Sequence, residues 1–378
     1  MNRSNVLEVK KTLKISENDI PSIDTICTCF VNGNKEKLIS NTEKFATLEE
    51  EEQFKYIEIL KNVLTGAIGK KLLNLNFSPV PQSKESRDNM ASWEKTIFEN
   101  ETERNAFFSH IINNLGFDEN YLLVAAHGIY DAPIKASDGA KLEDETNTYD
   151  FMITAICPVH STKAGLTLDS KKGRMVSADQ IQIVEAPVNG FLYPAFNERE
   201  SDEDALLYYS KKPEESHPEF IEALMGYESP TLSTEQQRIF EKIVAEVTDD
   251  NADMELVKSL QENLTTMVEE SESSSNDKRL TKNDVKEVLK NAGVSSDKLQ
   301  DFDHIYERAG GNSKTDFNPQ NLIELGKFKL KTPDVEIKIK PDKRQLIRQE
   351  QIKGKNCIVI EIESDKIELN GIQLKSQV

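Results

Sequence analysis

Tyr121-Leu122-Leu123-Val124-Ala125-Ala126 and Phe151-Met152-Ile153-Thr154-Ala155-Ile156 are the two stretches on which the fold turns. A strand with one wet face alternates apolar and polar residues, whereas these runs are apolar at nearly every position and therefore need cover on both faces. At six residues each they suit strands better than core helices. They predict two central strands in a sheet flanked by helices, which sets the fold class as α+β with a mixed α/β core.

Outward from these runs the pattern stays consistent. On the N-terminal side, Ser4 to Leu13 reads as a short helix with Val6, Val9 and Leu13 on one face. Ile23 to Val31 reads as a strand, and Asn32-Gly33-Asn34 supplies turn residues before Lys37-Leu38-Ile39 returns as a hairpin. Thr47 to Ile68 is the clearest helix, with Thr47 and Glu50 at capping-box spacing and Phe54, Ile57, Leu60, Leu64 and Ile68 as its stripe. A strand over Leu72 to Phe77 and helical stretches around Met90 to Phe98 and Glu103 to Leu115 complete the approach. On the C-terminal side, Ile181 to Val184 and Phe191 to Phe196 are further strands. A helix from about Pro218 closes at Gly226.

These elements make a core domain over residues 1–230. Residues 231–321 read as helices alone, with stripes Ile239, Phe240, Ile243, Val244, Val247 and Val257, Leu260, Leu264, Met267, and with a serine-rich linker near 270–279. From 322 to 378 the period falls to two, ending in Asn370-Gly371 between alternating strands, the signature of a small antiparallel β unit.

Composition narrows the function classes. The chain has 378 residues, 37% hydrophobic and 30% charged, with a net charge of -19. No apolar run approaches the roughly 18 residues of a membrane helix, and the N-terminus leads into an amphipathic segment, so a cytoplasmic protein without membrane contact is expected. Cys27, Cys29, Cys157 and Cys357 are too few and scattered for a disulfide framework, and buried thiols are the default. Composition leaves the oligomeric state open.

Motifs that would carry chemistry fail on spacing. Gly66-x-x-Gly69-Lys70-Lys71 and Gly310-Gly311-Asn312-Ser313-Lys314-Thr315 each lack parts of a phosphate-binding loop. There is no G-x-S-x-G elbow and no H-E-x-x-H helix, so neither a cofactor nor a metal is expected. The enzyme-like candidates sit where the central strands are expected to end: His127, Tyr130 and Asp131 after the first, Cys157 and His160 after the second. A histidine near a thiol and a carboxylate suits an activated nucleophile, and Cys157 with His160 suits half a metal site. Strand ends also collect such residues as turn and capping groups. Lys282 to Arg308 has helix-turn-helix length, but Asp297, Asp301, Asp303 and Glu307 on its second helix would repel phosphate, which favours an ordinary helical hairpin.

The C-terminal charge pattern runs against the rest of the chain. Lys327 to Lys355 holds ten Lys/Arg against four Asp/Glu within a strongly acidic protein. If Phe328, Leu330, Val335, Ile337 and Ile339 turn inward across the Thr332-Pro333-Asp334 turn, Lys327, Lys329, Lys331, Lys338 and Lys340 turn outward together with Glu336. Lys343, Arg344 and Arg348 extend the patch. Two readings compete: a binding face for DNA or an acidic protein, and a lysine-guarded sheet edge that resists aggregation.

Taken together, these segments resemble an uncharacterised bacterial family, domain of unknown function 4317, over essentially the whole length. The likeness is carried by Leu64-Thr65-Gly66 with Gly69-Lys70, by Asn120-Tyr121-Leu122 through His127 to Tyr130-Asp131-Ala132-Pro133, by Ile156-Cys157-Pro158-Val159, by Gly190-Phe191-Leu192-Tyr193-Pro194-Ala195-Phe196, and by Lys331-Thr332-Pro333-Asp334-Val335. The resemblance implies no known activity, substrate or catalytic residue. In architecture alone, the order of α/β core, helices and C-terminal β unit looks like the bacterial nucleoid-associated protein family, which binds DNA and DNA-handling partners. That likeness implies binding over catalysis and transfers no residue roles.

Overall fold

Helix α1 (Arg3–Thr12) opens the chain, its first turn closed by a reciprocal cap between Asn2 and Asn5, and it lays Val6, Val9 and Leu13 into the core as their spacing predicts. The computed structural model describes residues 1–15, 22–135, 141–169, 173–197, 199–227, 231, 233–274, 279–312, 315–323, 328–362, 367–369 and 372–374. The chain divides into two units, Met1–Ser233 and Thr234–Val378.

In the first unit β1 (Ile23–Val31) and β2 (Lys37–Lys44) form the expected hairpin. Its turn is fixed by the Asn32 carboxamide oxygen, which accepts from the backbone N–H groups of Asn34 and Glu36. Helix α2 (Glu50–Val63) and β3 (Leu72–Asn76) follow. Thr47 does not cap α2: it lies in a short 3₁₀ turn and its hydroxyl donates back to the Lys44 carbonyl. Ile57, Leu60 and Leu64 are buried as predicted, but Phe54 is half exposed and Ile68 lies beyond the helix end.

Helices α3 (Pro81–Thr96) and α4 (Glu101–Asn114) lead to the two long strands, β4 (Tyr121–Lys135) and β5 (Lys141–Ser161). After these come β6 (Gly165–Asp169), β7 (Arg174–Ala178), β8 (Gln182–Val184), β9 (Asn189–Tyr193), β10 (Ala195–Asn197), β11 (Glu200–Asp202), β12 (Ala205–Ser210) and α5 (Pro218–Met225). The main sheet runs β2-β1-β4-β5-β9-β12-β3, with β8 added on β5, and every pairing in it is antiparallel.

Both faces of this sheet are covered, which is why its central strands read as unbroken apolar runs. On one face Leu123, Ala125, Met152, Ile156, Phe191 and Tyr208 pack against Phe107, Phe108 and Ile111 of α4 and Phe220 and Leu224 of α5. On the other, Val124, Ala126, Ile153, Ala155 and Leu192 pack against Val6 and Val9 of α1 and Ile57, Leu60 and Val63 of α2. Each large side chain so buried is worth roughly 1.5–3 kcal/mol of transfer free energy. Gly226 ends α5 in the left-handed conformation, where a helix C-terminus favours glycine.

The second unit contains α6 (Ser233–Thr248), α7 (Met254–Ser274), α8 (Lys282–Asn291), α9 (Phe302–Ala309) and α10 (Pro319–Leu322). Its core joins Ile239, Phe240 and Ile243 with Leu260, Leu264, Val285, Leu289, Phe302 and Tyr306. Thr281 and Asp284 make the capping box that their spacing predicts. The serine-rich stretch near 270–279 is not simply linker, because α7 continues through Ser274. Its glutamates are good helix formers and serine costs a helix only a fraction of a kcal/mol. The second helix of the supposed helix-turn-helix buries Phe302, Ile305, Tyr306 and Ala309, and Asp303 is tied to Lys282 at 2.8 Å, as suits a packed hairpin.

Three hairpins close the chain: β13 (Phe328–Lys331) with β14 (Glu336–Ile339), β15 (Ile347–Ile352) with β16 (Lys355–Ile360), and β17 (Ile367–Leu369) with β18 (Ile372–Leu374). The last has strands where the Asn-Gly signal places them. Among the described residues, no helix is long and apolar enough to cross a membrane.

Candidate functional site

His127, Tyr130 and Asp131 do not follow a strand end: β4 continues through all three, and Cys157 and His160 lie inside β5. The antiparallel register sets Leu122 opposite Cys157 and His127 opposite Met152. Cys157 is thus five residues along the strand from the level of His127, about 17 Å, and it points to the opposite face. His160 is farther still. The five candidates therefore do not form one group.

Each has a local role instead. His127 packs its ring 5.3 Å from that of Phe98, with Nδ1 3.8 Å from Asp24 and Nε2 3.9 Å from Asp150. Tyr130 donates to Glu8 at 2.9 Å, and Glu8 is also held by Arg199. Asp131 accepts from the Thr148 hydroxyl, and His160 lies 3.6 Å from Glu185. Cys157 is fully buried, and desolvation pushes its thiol up to about 12, so no thiolate nucleophile is available there. Cys27 and Cys29 are also buried and only Cys357 is partly exposed. A thiol reagent is accordingly expected to titrate one fast group in the native protein and all four in denaturant; rapid labelling of Cys157 in the folded state would contradict this placement.

One buried carboxyl was not singled out by the sequence. Glu94 on α3 is 4% exposed, and burial pushes it up to about 7, with Asp150 and Glu203 acting in the same direction and Lys95 against. Among the described residues, no group of three or more His, Cys, Asp or Glu could hold a metal ion.

The basic hairpin has the expected faces. Register pairs Lys329 with Lys338 and Lys331 with Glu336 on one face, and Phe328 with Ile339 and Leu330 with Ile337 on the other. Glu336 sits amid the cations, 2.7 Å from Lys338 and 3.8 Å from Lys329. Val335 does not turn inward: it is 52% exposed at the turn, where no element covers it. Lys340 is exposed and Lys343 is half-buried beyond β14, while Lys327 lies outside the described residues. Arg344 and Arg348 are engaged internally. The first pairs with Glu262 of α7 at 3.1 Å, and the second with Glu350 and Glu361.

A cleft of about 410 Å³ opens at the end of the main sheet where β4 and β9 begin and β12 ends. One wall is the loop before β4, including Phe117, Asp118, Glu119 and Asn120. The other is the segment after β12, including Lys211, Lys212, Glu215 and His217. Hydrogen bonds fix both walls. Asn120 accepts from the Gly33 N–H, Asn189 donates to the Tyr208 hydroxyl at 3.0 Å, Tyr208 donates to the Ser216 carbonyl at 2.8 Å, and Ser210 donates to the Lys212 carbonyl at 2.7 Å. His217 holds a left-handed backbone, φ 52°, which is strained for a non-glycine residue, and its ring stacks edge-on against Phe117 at 5.1 Å. Sequence reading passed over this cleft because its walls come from four separate segments, none of which carries a motif.

The family model described as Domain of unknown function (DUF4317) matches residues 1–372 of the chain. No curated protein matches the chain.

Proposed function

Because the chain belongs to the DUF4317 family, whose description carries no activity, we propose from its own geometry that it is a non-enzymatic cytoplasmic binding protein that meets a polyanion through the lysine face of the β13–β14 hairpin. The observation that carries this is the register: Lys329, Lys331 and Lys338 share the face opposite Phe328, Leu330, Ile337 and Ile339. Lys329 and Lys338 stand directly across from each other, a like-charge pair that costs a few tenths of a kcal/mol, and Glu336 reaches both of them. Arg344 and Arg348 already pair with carboxylates of this chain, so the proposal rests on the lysines.

DNA is the polyanion favoured first, since phosphates at regular spacing can meet lysines two residues apart on a strand. If about three phosphates are neutralised, the logarithm of the binding constant falls with the logarithm of salt at a slope near -3. Affinity for duplex DNA then drops about 40-fold between roughly 50 and 200 mM salt. Anisotropy titrations of labelled duplex measure this. Reversal of Lys329, Lys331, Lys338 and Lys340 to Glu is expected to abolish the binding while leaving the tryptophan-monitored unfolding of the first unit in place. Retention from cytoplasm that survives nuclease but not the charge reversal assigns the face to an acidic protein. Salt-independent binding, or binding unaffected by the reversal, overturns the proposal.

A further inference from the structure

The cleft at the end of the main sheet has the attributes of a ligand site rather than a packing defect. Its volume lies within the roughly 300–1,000 Å³ of small-molecule sites. Its walls are held by the hydrogen bonds from Asn120, Asn189, Tyr208 and Ser210, so it is formed before any ligand arrives. At its base Asn189 is 1% exposed and uses its amide N–H on Tyr208, and among the described residues nothing donates to its Oδ1. That oxygen is thus open to accept from a ligand N–H.

Charge defines what fits. Lys212 and Glu215 pair with each other at 2.8 Å, so they largely cancel. The remaining formal charges stand on separate segments: Lys211 after β12, and Asp118 and Glu119 on the loop before β4. Between them lie apolar surfaces from Phe117, Pro158 and Val188. The His217 imidazole is held below its ordinary range by burial, which keeps it uncharged at neutral pH and able to give or take one hydrogen bond. A simple anion would meet two carboxylates, and a simple cation would meet Lys211. A ligand bearing both charges on an apolar body meets neither conflict.

We infer that this cleft binds a small zwitterion of the α-amino-acid type, with its carboxylate toward Lys211, its ammonium toward Asp118, Glu119 and the Asn189 carbonyl oxygen, and an apolar side chain against Phe117 and Val188. The site is independent of the basic hairpin and stands whether or not that hairpin binds a polyanion.

The test is calorimetric titration of the full chain with the free proteinogenic amino acids, followed by the N-acetyl and carboxamide derivatives of any that bind. An apolar member is expected to bind with a dissociation constant in the range of about 1 μM to 1 mM, and each blocked derivative is expected to lose tenfold or more. Lys211→Met is expected to lose a similar factor, as is Asp118→Asn combined with Glu119→Gln. All three positions line the cleft without supporting the core, and unchanged ligand-free melting curves verify that these variants are folded. No binding by any free amino acid, equal binding of the blocked forms, or full affinity in Lys211→Met overturns the assignment.

Discussion

Gly190→Ala is expected to destabilise the first unit by about 3 kcal/mol or more, at the upper end of what overpacking costs. Gly190 sits in β9 between Ala155 of β5 and Tyr209 of β12, so its backbone is fixed from both sides by strand ladders. A Cβ there would press well inside van der Waals distance of the Thr154 carbonyl oxygen and come to 2.9 Å from Cγ2 of Val63 on α2. The carbonyl belongs to a paired strand and cannot rotate aside, and Val63 is itself buried. Relief requires moving either α2 or a central strand, and each movement opens contacts made by Leu60, Val63 and Leu192. Gly116→Ala is the control. Nothing lies within 4 Å of a Cβ at that position, so a change under about 0.5 kcal/mol is expected. The sole tryptophan, Trp93, packs 5.5 Å from Phe107 in the core of this unit, so its fluorescence in a denaturant titration reports the first unit alone. Equal stabilities for the two alanine variants would contradict the close approach of α2 to the sheet.

The legible part of this fold is the part governed by local periodicity. Leu122 to Ala126 and Met152 to Ile156 announce a sheet covered on both faces, and Val6, Val9 and Leu13 announce the stripe of α1, because burial writes directly into residue type at period two or 3.6. Strand length was not legible. The apolar run ends at Ala126, yet the antiparallel ladder of β4 and β5 carries on past Gly128 and Pro133, since fourteen register pairs hold the backbone from Tyr121 to Lys135. Ending the strand near Ala126 placed His127 and Cys157 at one imagined rim, whereas register separates them along the sheet and across its faces. Register is a pairwise property of two segments and has no signature in either one alone. The same reason hides the partners of Arg344 and Arg348, since Glu262 lies far off in the chain. It also hides the cleft, whose walls meet only through tertiary folding. The lysine face of the hairpin was legible because it needs only alternation and a turn.

Replacing Glu94 by Gln is expected to raise the stability of the first unit by about 2–3 kcal/mol at pH 8 and to leave it nearly unchanged at about pH 4. The folded protein holds this carboxyl at about 7 against an ordinary 4.5, chiefly because burial removes water from the charged form; Lys95 opposes the shift, and Asp150 and Glu203 add to it. The native state therefore binds a proton that the unfolded chain has already released between those two values. Stability from this group is whole below about pH 4.5, falls as pH rises through the interval, and is fully lost above about 7. Each unit of separation corresponds to roughly 1.4 kcal/mol, and residual solvation of the carboxylate trims the product to the stated range. Glutamine is isosteric with the protonated acid, so it retains the packing of α3 against the sheet and removes only the ionisation. The measurement is the difference between wild type and variant in tryptophan-monitored denaturation at a series of pH values. Histidines elsewhere, including His110 and His217, which burial holds below their ordinary range, titrate in both proteins and cancel in that difference. A difference that grows from near zero to its full size across about pH 4 to 8 identifies Glu94 as the titrating group. Parallel curves would mean that the side chain reaches water in the native state and that burial does not hold its proton.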